Sequence, residues 1–161
     1  MLLELLLGLS IGIVILSLLF SLMGATQKSL HHSQIYHKLI FEDRNCLNYI
    51  KNEIQSADLI IIHPSSDIGV ILVQEPNSVE SKYKYIYYSV NEDLELMRKT
   101  YSHSRLISHI ESTEGSNGVL SQVASCRGKV EGHYVNIKIQ KKEGTILEQN
   151  VGIRARIYEK K

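Results

Sequence analysis

Few residues in this chain offer chemistry, and none of them group into a reaction centre. His31, His32 and His37 lie close together, but they lack the i, i+4 spacing that aims two imidazoles from one helix at one ion, and no Cys or acid completes a ligand set. His63, His103, His109 and His133 stand singly. There is no Gly-x-Ser-x-Gly elbow, no phosphate-cradling glycine loop and no cysteine in an activating setting. The expectation is a chain with no catalytic residue, no metal and no cofactor. Cys46 and Cys126 are too few to define a disulfide framework. Cys46 falls on an apolar helix face, where a thiol packs as a small hydrophobe. Cys126 falls in the small polar stretch Ala124–Gly128, read as a loop. Outside the cytosol the two can alternatively form one bridge. Lys141-Lys142 and Lys160-Lys161 read as a solvated turn and a solvated tail, weak support for nucleic-acid binding.

The most pointed charge is Glu4. It heads a run without any charged residue from Leu5 to Gln27. At about 1.5 Å per residue such a run can cross the hydrocarbon core of a bilayer. A carboxylate beside hydrocarbon is costly and persists mainly where it has a partner or a role. Glu4 therefore reads either as an interfacial acid in water or as a charge neutralised when subunits pack. Gly8-x-x-x-Gly12 is the small-xxx-small pattern of close helix packing, and Ser10, Ser17, Ser21 and Gly24 share a face. A cleaved signal peptide fits poorly: no basic n-region precedes the run, the apolar run is too long, and the cleavage candidate after Ala25 has Met23 where a small residue is wanted.

These residues need a long helix to position them. No Pro occurs before Pro64, and Tyr36, Leu39, Ile40, Cys46, Leu47, Ile50, Ile54 and Ala57 recur at steps of three or four. Lys38, Glu42, Arg44, Asn48, Lys51, Asn52 and Gln55 occupy the other face. The pattern predicts one helix from about Leu2 to Ser56, roughly 80 Å long. Its first part, 1–27, is apolar all round; its second, 28–57, is amphipathic and suited to lie on a sheet.

From 58 to 161 the period becomes two, which predicts an antiparallel β-sheet domain. Leu59–Ile62 and Ile68–Val73 read as strands around the turn cluster His63–Asp67, and a polar loop surrounds Pro76-Asn77-Ser78. Tyr83–Val90 and Leu94–Thr100 form the best hairpin, turned by Asn91-Glu92-Asp93. Arg105–Ile110 opens another strand or a connection. Glu114–Gly118 and Ser125–Gly132 read as loops. His133–Ile139 and Thr145 onward to Ile157 flank Lys142-Glu143-Gly144 as a second hairpin. The fold class is thus α+β.

Composition agrees with an anchor plus one domain. All 18 Lys and Arg lie beyond Gln27, as do 16 of the 17 Asp and Glu. This balance is unlike that of a nucleic-acid or membrane-surface protein. Nine Tyr, no Trp and only two Pro suit a sheet-rich folded part.

Leu2-Leu3-Glu4 followed by the apolar run resembles the start of mature type IV prepilins and type II secretion pseudopilins, in which Glu4 would fall at the near-invariant fifth-position glutamate. Arg44–Ala57 at the helix end, the Tyr-rich hairpin Tyr83–Arg98, Leu106–Ser112 and the terminal hairpin are similar to the minor-pilin subgroup, including the larger tip pseudopilin and a competence pseudopilin of Gram-positive bacteria. The resemblance implies a pilin-like fold and a structural role in a type IV pilus-like, type II secretion or competence filament, in assembly initiation or tip contacts. Glu4 would be the assembly contact, and Gly8, Gly12, Ser17 and Ser21 the helix-packing positions. Implied partners are other pilins, an assembly platform and a prepilin peptidase, with N-methylation after cleavage; DNA is an open question. A leader is expected upstream of Met1, which falls at about the second mature position. Lys28 and Lys38 alone would favour the cytoplasm on their side, but the leader normally carries the cytoplasmic charges. The implied location is the cytoplasmic membrane, single-pass, with the C-terminal domain outside, and the cell surface once assembled. The rival class is a single-pass, membrane-anchored extracellular binding domain unrelated to pili.

Overall fold

The computed structural model describes residues 1–63, 66–76, 82–107 and 113–158. The chain divides into two units, Met1–Phe41 and Glu42–Lys161. Helix α1 runs without interruption over Leu2–Ser56, the span read from the sequence. Leu and Ile are its commonest residues and proline is absent, so no backbone donor is lost along its length. The Ser56 hydroxyl donates to the Glu53 carbonyl at 3.1 Å in the last turn. The β-branched run that follows takes the chain into a strand.

In the first unit the large apolar side chains from Leu2 to Met23 are exposed on every side. Tyr36, expected on the buried stripe, is also exposed. The helix residues that are buried are Asp43, Cys46, Ile50 and Ile54, one face at steps of three and four. Periodicity marks which side of a helix can be covered but not how far the cover extends, so the buried stripe is shorter than 28–57.

The second unit contains two sheets where the sequence predicted one. Strands β1 (Leu59–Ile62), β2 (Val70–Gln74), β3 (Tyr83–Val90), β4 (Leu96–His103), β5 (Gly115–Leu120) and β9 (Arg156–Tyr158) form a six-stranded sheet in the order β5-β4-β3-β2-β1-β9. Its neighbours are antiparallel except β1 and β9, which are parallel. The sheet is therefore mixed, a correction to the all-antiparallel expectation. Strands β6 (Val123–Glu131), β7 (Tyr134–Lys141) and β8 (Ile146–Gly152) form a separate antiparallel sheet.

The expected loops at Glu114–Gly118 and Ser125–Gly132 are largely strands β5 and β6. Their Gly, Ser and Asn content is that of a loop, but partner strands on one side supply the backbone pairing. The expected strand from Thr145 to Ile157 breaks after Gly152. There the Ile153 amide bonds the His133 carbonyl at 2.7 Å, and the Arg156 amide bonds the Asp58 carbonyl at 3.2 Å, so the chain changes sheets. The turn at 142–144 forms as expected, with Gly144 at φ +93°, a conformation open to glycine at little cost. The expectations at Pro64-Ser65, Asn77-Ser78, Ser108–Ser112 (His109 included) and Lys160-Lys161 lie outside the described residues.

The main core gathers Cys46, Ile50, Ile54 and Ala57 with Ile60, Val70, Leu72, Ile86, Tyr88 and Leu96 of the larger sheet, and with Val123, Cys126, Val135, Ile137, Ile139 and Val151 of the smaller. A second cluster, Leu59, Ile61, Ile71, Val73 and Tyr85, contains the alternate residues of β1–β3, with Tyr83, Tyr87 and Tyr101 packed against it. The tyrosine-rich β3 thus divides by parity. Tyr83, Tyr85 and Tyr87 join the second cluster and Ile86 and Tyr88 the main core, as a period of two requires.

Candidate functional site

The N-terminal apolar stretch is the first candidate. Among the described residues one helix, α1, is long and apolar enough to cross a membrane, and nothing within its apolar stretch is buried. Glu4 is exposed in the first turn, its Oε2 3.4 Å from the amino group of Met1. A Cβ added at Gly8 or Gly12 would meet no atom within 4 Å, so both glycines leave open, shallow positions on the helix surface. The Ser10 and Ser17 hydroxyls donate to the carbonyls of Leu7 and Val14, each at 2.8 Å. That intrahelical bond satisfies the hydroxyl in an apolar phase, so these serines supply smallness more than interhelical hydrogen bonds. Ser21 is exposed in the same stretch.

The second candidate is the polar seam where the end of α1 meets the sheets. Asp43, on the buried face of the helix, accepts a hydrogen bond at 2.8 Å from Nζ of Lys141, at the end of β7. Only 3 % of the Lys141 side chain is exposed. The expectation that Lys141 belongs to a solvated turn is corrected: β7 extends one residue into the Lys141-Lys142 pair, and the strand register turns Lys141 inward while Lys142 enters the turn. Asp43 carried no signal in the sequence reading. The available clue was its position, three residues before Cys46 and seven before Ile50 on the apolar stripe.

Cys46 and Cys126 both lie in the main core, and both are free thiols. Cys126 is on β6, not in a loop. Burial, reinforced by Asp43, pushes the Cys46 thiol up to about 12 against an opposing effect of Lys141. Burial, reinforced by Asp67 and by Cys46, pushes Cys126 up to about 12 as well. Neither thiol is poised as a nucleophile.

About two turns beyond Cys46 along the helix, Glu53 is held by two strands. Its Oε1 accepts Nε of Arg98 at 2.8 Å and lies 2.7 Å from Nη2, a two-pronged pair on β4. Its Oε2 accepts the Tyr88 hydroxyl of β3. Burial and the neighbouring Glu53 carboxylate both raise the Tyr88 phenol. Burial lowers the Arg98 guanidinium, but its bond and charge pairing with Glu53 outweigh this and raise it. The Arg98 guanidinium also sits 6.0 Å from the centre of the Tyr49 ring. A cavity of about 360 Å³ opens beside this group, lined by residues that include Asn45, Tyr49, Arg98 and Asn117. Arg98 is committed to Glu53, so the seam acts as a lock between helix and sheet.

Among the described residues no group of three His, Cys, Asp or Glu side chains could hold a metal ion. His31, His32 and His37 are exposed on α1. The chain gave no match to protein-family models, to curated proteins or to solved structures.

Proposed function

We propose that the protein is a minor pilin or pseudopilin, a non-enzymatic structural subunit of a type IV pilus-like, type II secretion or competence filament. The observation that carries this reading is α1 itself. A single acid precedes a span-length apolar segment, and the same uninterrupted helix ends as the buried stripe of an α+β domain. In this reading the apolar segment first anchors the chain in the cytoplasmic membrane, with the sheet domain outside, and then bundles with other pilin helices. Glu4 would enter an apolar bundle, where an unpaired carboxylate is prohibitive, so it needs a cationic partner such as a protonated amine. That requirement makes Glu4 a register device. Gly8, Gly12, Ser17 and Ser21 let neighbouring helices approach closely. The sheet domain makes lateral or tip contacts, and an assembly platform and a prepilin peptidase handle the subunit before assembly.

The test is Glu4→Ala in the native host. The variant is expected to reach the membrane fraction at normal levels and to lose co-purification with partner pilins. Normal co-purification would overturn the reading in favour of a membrane-anchored binding domain. Genes for an assembly ATPase, a polytopic platform protein and a prepilin peptidase beside this one would support the filament reading.

A further inference from the structure

We propose that β5 is a docking edge that takes an extended segment of another protein as an added strand, a segment with an aromatic centre and basic ends. β5 stands at the end of the six-stranded sheet and, among the described residues, pairs with β4 alone. The other outermost strands, β6, β8 and β9, each carry a charged residue, a common guard against strand addition. β5, Gly-Ser-Asn-Gly-Val-Leu, has neither charge nor proline, and its glycines let a second backbone approach closely. The bulge at Val119 lies near its far end and leaves Gly115 to Gly118 in regular register with Thr100 to Met97.

Cross-strand pairing sets Tyr88, Arg98 and Asn117 in one row on the side facing α1. The next place in that row lies about 4.8 Å beyond Asn117, where an incoming strand would set a side chain. The cavity of about 360 Å³ opens beside Asn117, with Cys46, Tyr49 and Val119 as apolar wall and the Asn45 amide near them. It is at the low end of ligand pockets and suits one aromatic side chain. Besides the buried Leu120, β5 offers this side only Gly115, Asn117 and Val119, too small to fill the space, so a second copy paired edge to edge fits poorly. By alternation the opposite side carries acids at both ends of the edge. Glu114 is exposed just before β5, and Glu95 Oε2 lies 3.8 Å from where a Cβ on Gly118 would stand. Neither forms an ion pair among the described residues, and Lys99 stands between them on the row of Ser116. Basic ends on the incoming segment complement that arrangement. Glu42, which also lines the cavity, has a partner of its own and is not needed. The edge belongs to the sheet domain and requires no filament around it, so the two readings can fail separately.

The test uses the full chain in detergent micelles and a labelled peptide, Lys-Val-Thr-Phe-Thr-Val-Lys, whose Phe falls on one face of a strand and whose Lys ends fall on the other. Fluorescence anisotropy is expected to show saturable binding, about tenfold tighter than for the same peptide ended by Glu. On binding, isotope-labelled peptide carbonyls should shift to the infrared position of a β-sheet, and a version N-methylated at Val and Thr should lose binding. Asn117→Lys, at an exposed position, should weaken binding about tenfold or more. Glu95→Gln should narrow the preference for Lys over Glu ends. Absence of binding at about 1 mM peptide, equal binding of the Lys-ended and Glu-ended peptides, or full binding of the N-methylated one would overturn the proposal. So would a concentration-dependent dimer that Asn117→Lys disrupts, since that assigns the edge to a second copy.

Discussion

Lys141 on β7 donates to Asp43 on α1 across 2.8 Å, joining positions 98 residues apart in a site that excludes most solvent. Such a pair gains little over a well-packed apolar substitute, but removing one partner strands a buried charge. Asp43→Ala is therefore expected to lower the unfolding free energy by about 3–5 kcal/mol. The double change Asp43→Leu/Lys141→Met should recover most of that loss. Denaturant unfolding followed by tyrosine fluorescence checks both. Equal losses in the single and double variants would show that the pair itself is not the source of the cost.

Gly128 of β6 and Ile68, in the turn just before β2, approach each other backbone to backbone. The Gly128 amide bonds the Asp67 carbonyl at 2.8 Å, and a Cβ at Gly128 would overlap the Ile68 carbonyl and lie 2.6 Å from its Cα. Gly69, at φ +71°, faces the same contact from the other side. Gly128→Ala is expected to destabilise the domain by about 3 kcal/mol or more, since relief requires backbone movement. Gly152→Ala, with open space around its Cβ, is the control and should cost less than about 1 kcal/mol. Thermal melts of the two variants compare them directly.

The buried thiols predict an alkaline limit to stability. Their ordinary value is 9.0 and both are pushed up to about 12 in the folded chain. Above pH 9 the unfolded chain releases these protons while the folded chain keeps them. Their contribution is therefore complete below pH 9 and is lost as pH rises towards 12. Cys46→Ala/Cys126→Ala should flatten that limb of the stability–pH curve. In the parent protein, alkylation at pH 8 should be slow until denaturant is added, and two thiols should then titrate without reductant. A count of zero would instead establish the alternative bridge.

Glu53 receives Arg98 through two nitrogens and Tyr88 through its other oxygen. Arg98→Lys keeps the charge but loses the fork, and Tyr88→Phe keeps the ring but loses the donor. Each is expected to cost about 1.5–3 kcal/mol, the range for hydrogen bonds to charged groups. Sharing one carboxylate should make the double variant depart from additivity, which a double-mutant cycle measures.

The helix boundaries, Leu59–Ile62, the hairpin of β3 and β4 and the turn at 142–144 were legible because each depends on local signals. These are proline's absence, a period of 3.6 or two, and turn residues between apolar runs. The strands β5 and β6 were not legible. Gly-Ser-Asn-Gly at 115–118 has weak strand preference, and Gly128 has no side chain to declare a face. Their pairing comes from β4 and β7, and Gly128 is required by Ile68, sixty positions earlier.

The candidate site divides in the same way. Glu4, Gly8, Gly12, Ser17 and Ser21 could be named from the sequence because a charge or a small residue in an uncharged run is conspicuous wherever the chain folds. Asp43, Lys141, Glu53, Arg98 and Tyr88 could not, since an ionisable side chain written in one dimension reads as solvated until its partner is brought to it. The sequence by itself determined the long helix, its apolar and uncharged first half, and the alternation that builds strands, all properties of neighbours within a few residues. The tertiary structure decided that there are two sheets, that β9 returns to pair with β1, and that a lysine beside a turn becomes the buried partner of an aspartate on the helix. Those outcomes follow from which surfaces meet, and long-range burial and pairing settle that only once the whole chain is folded.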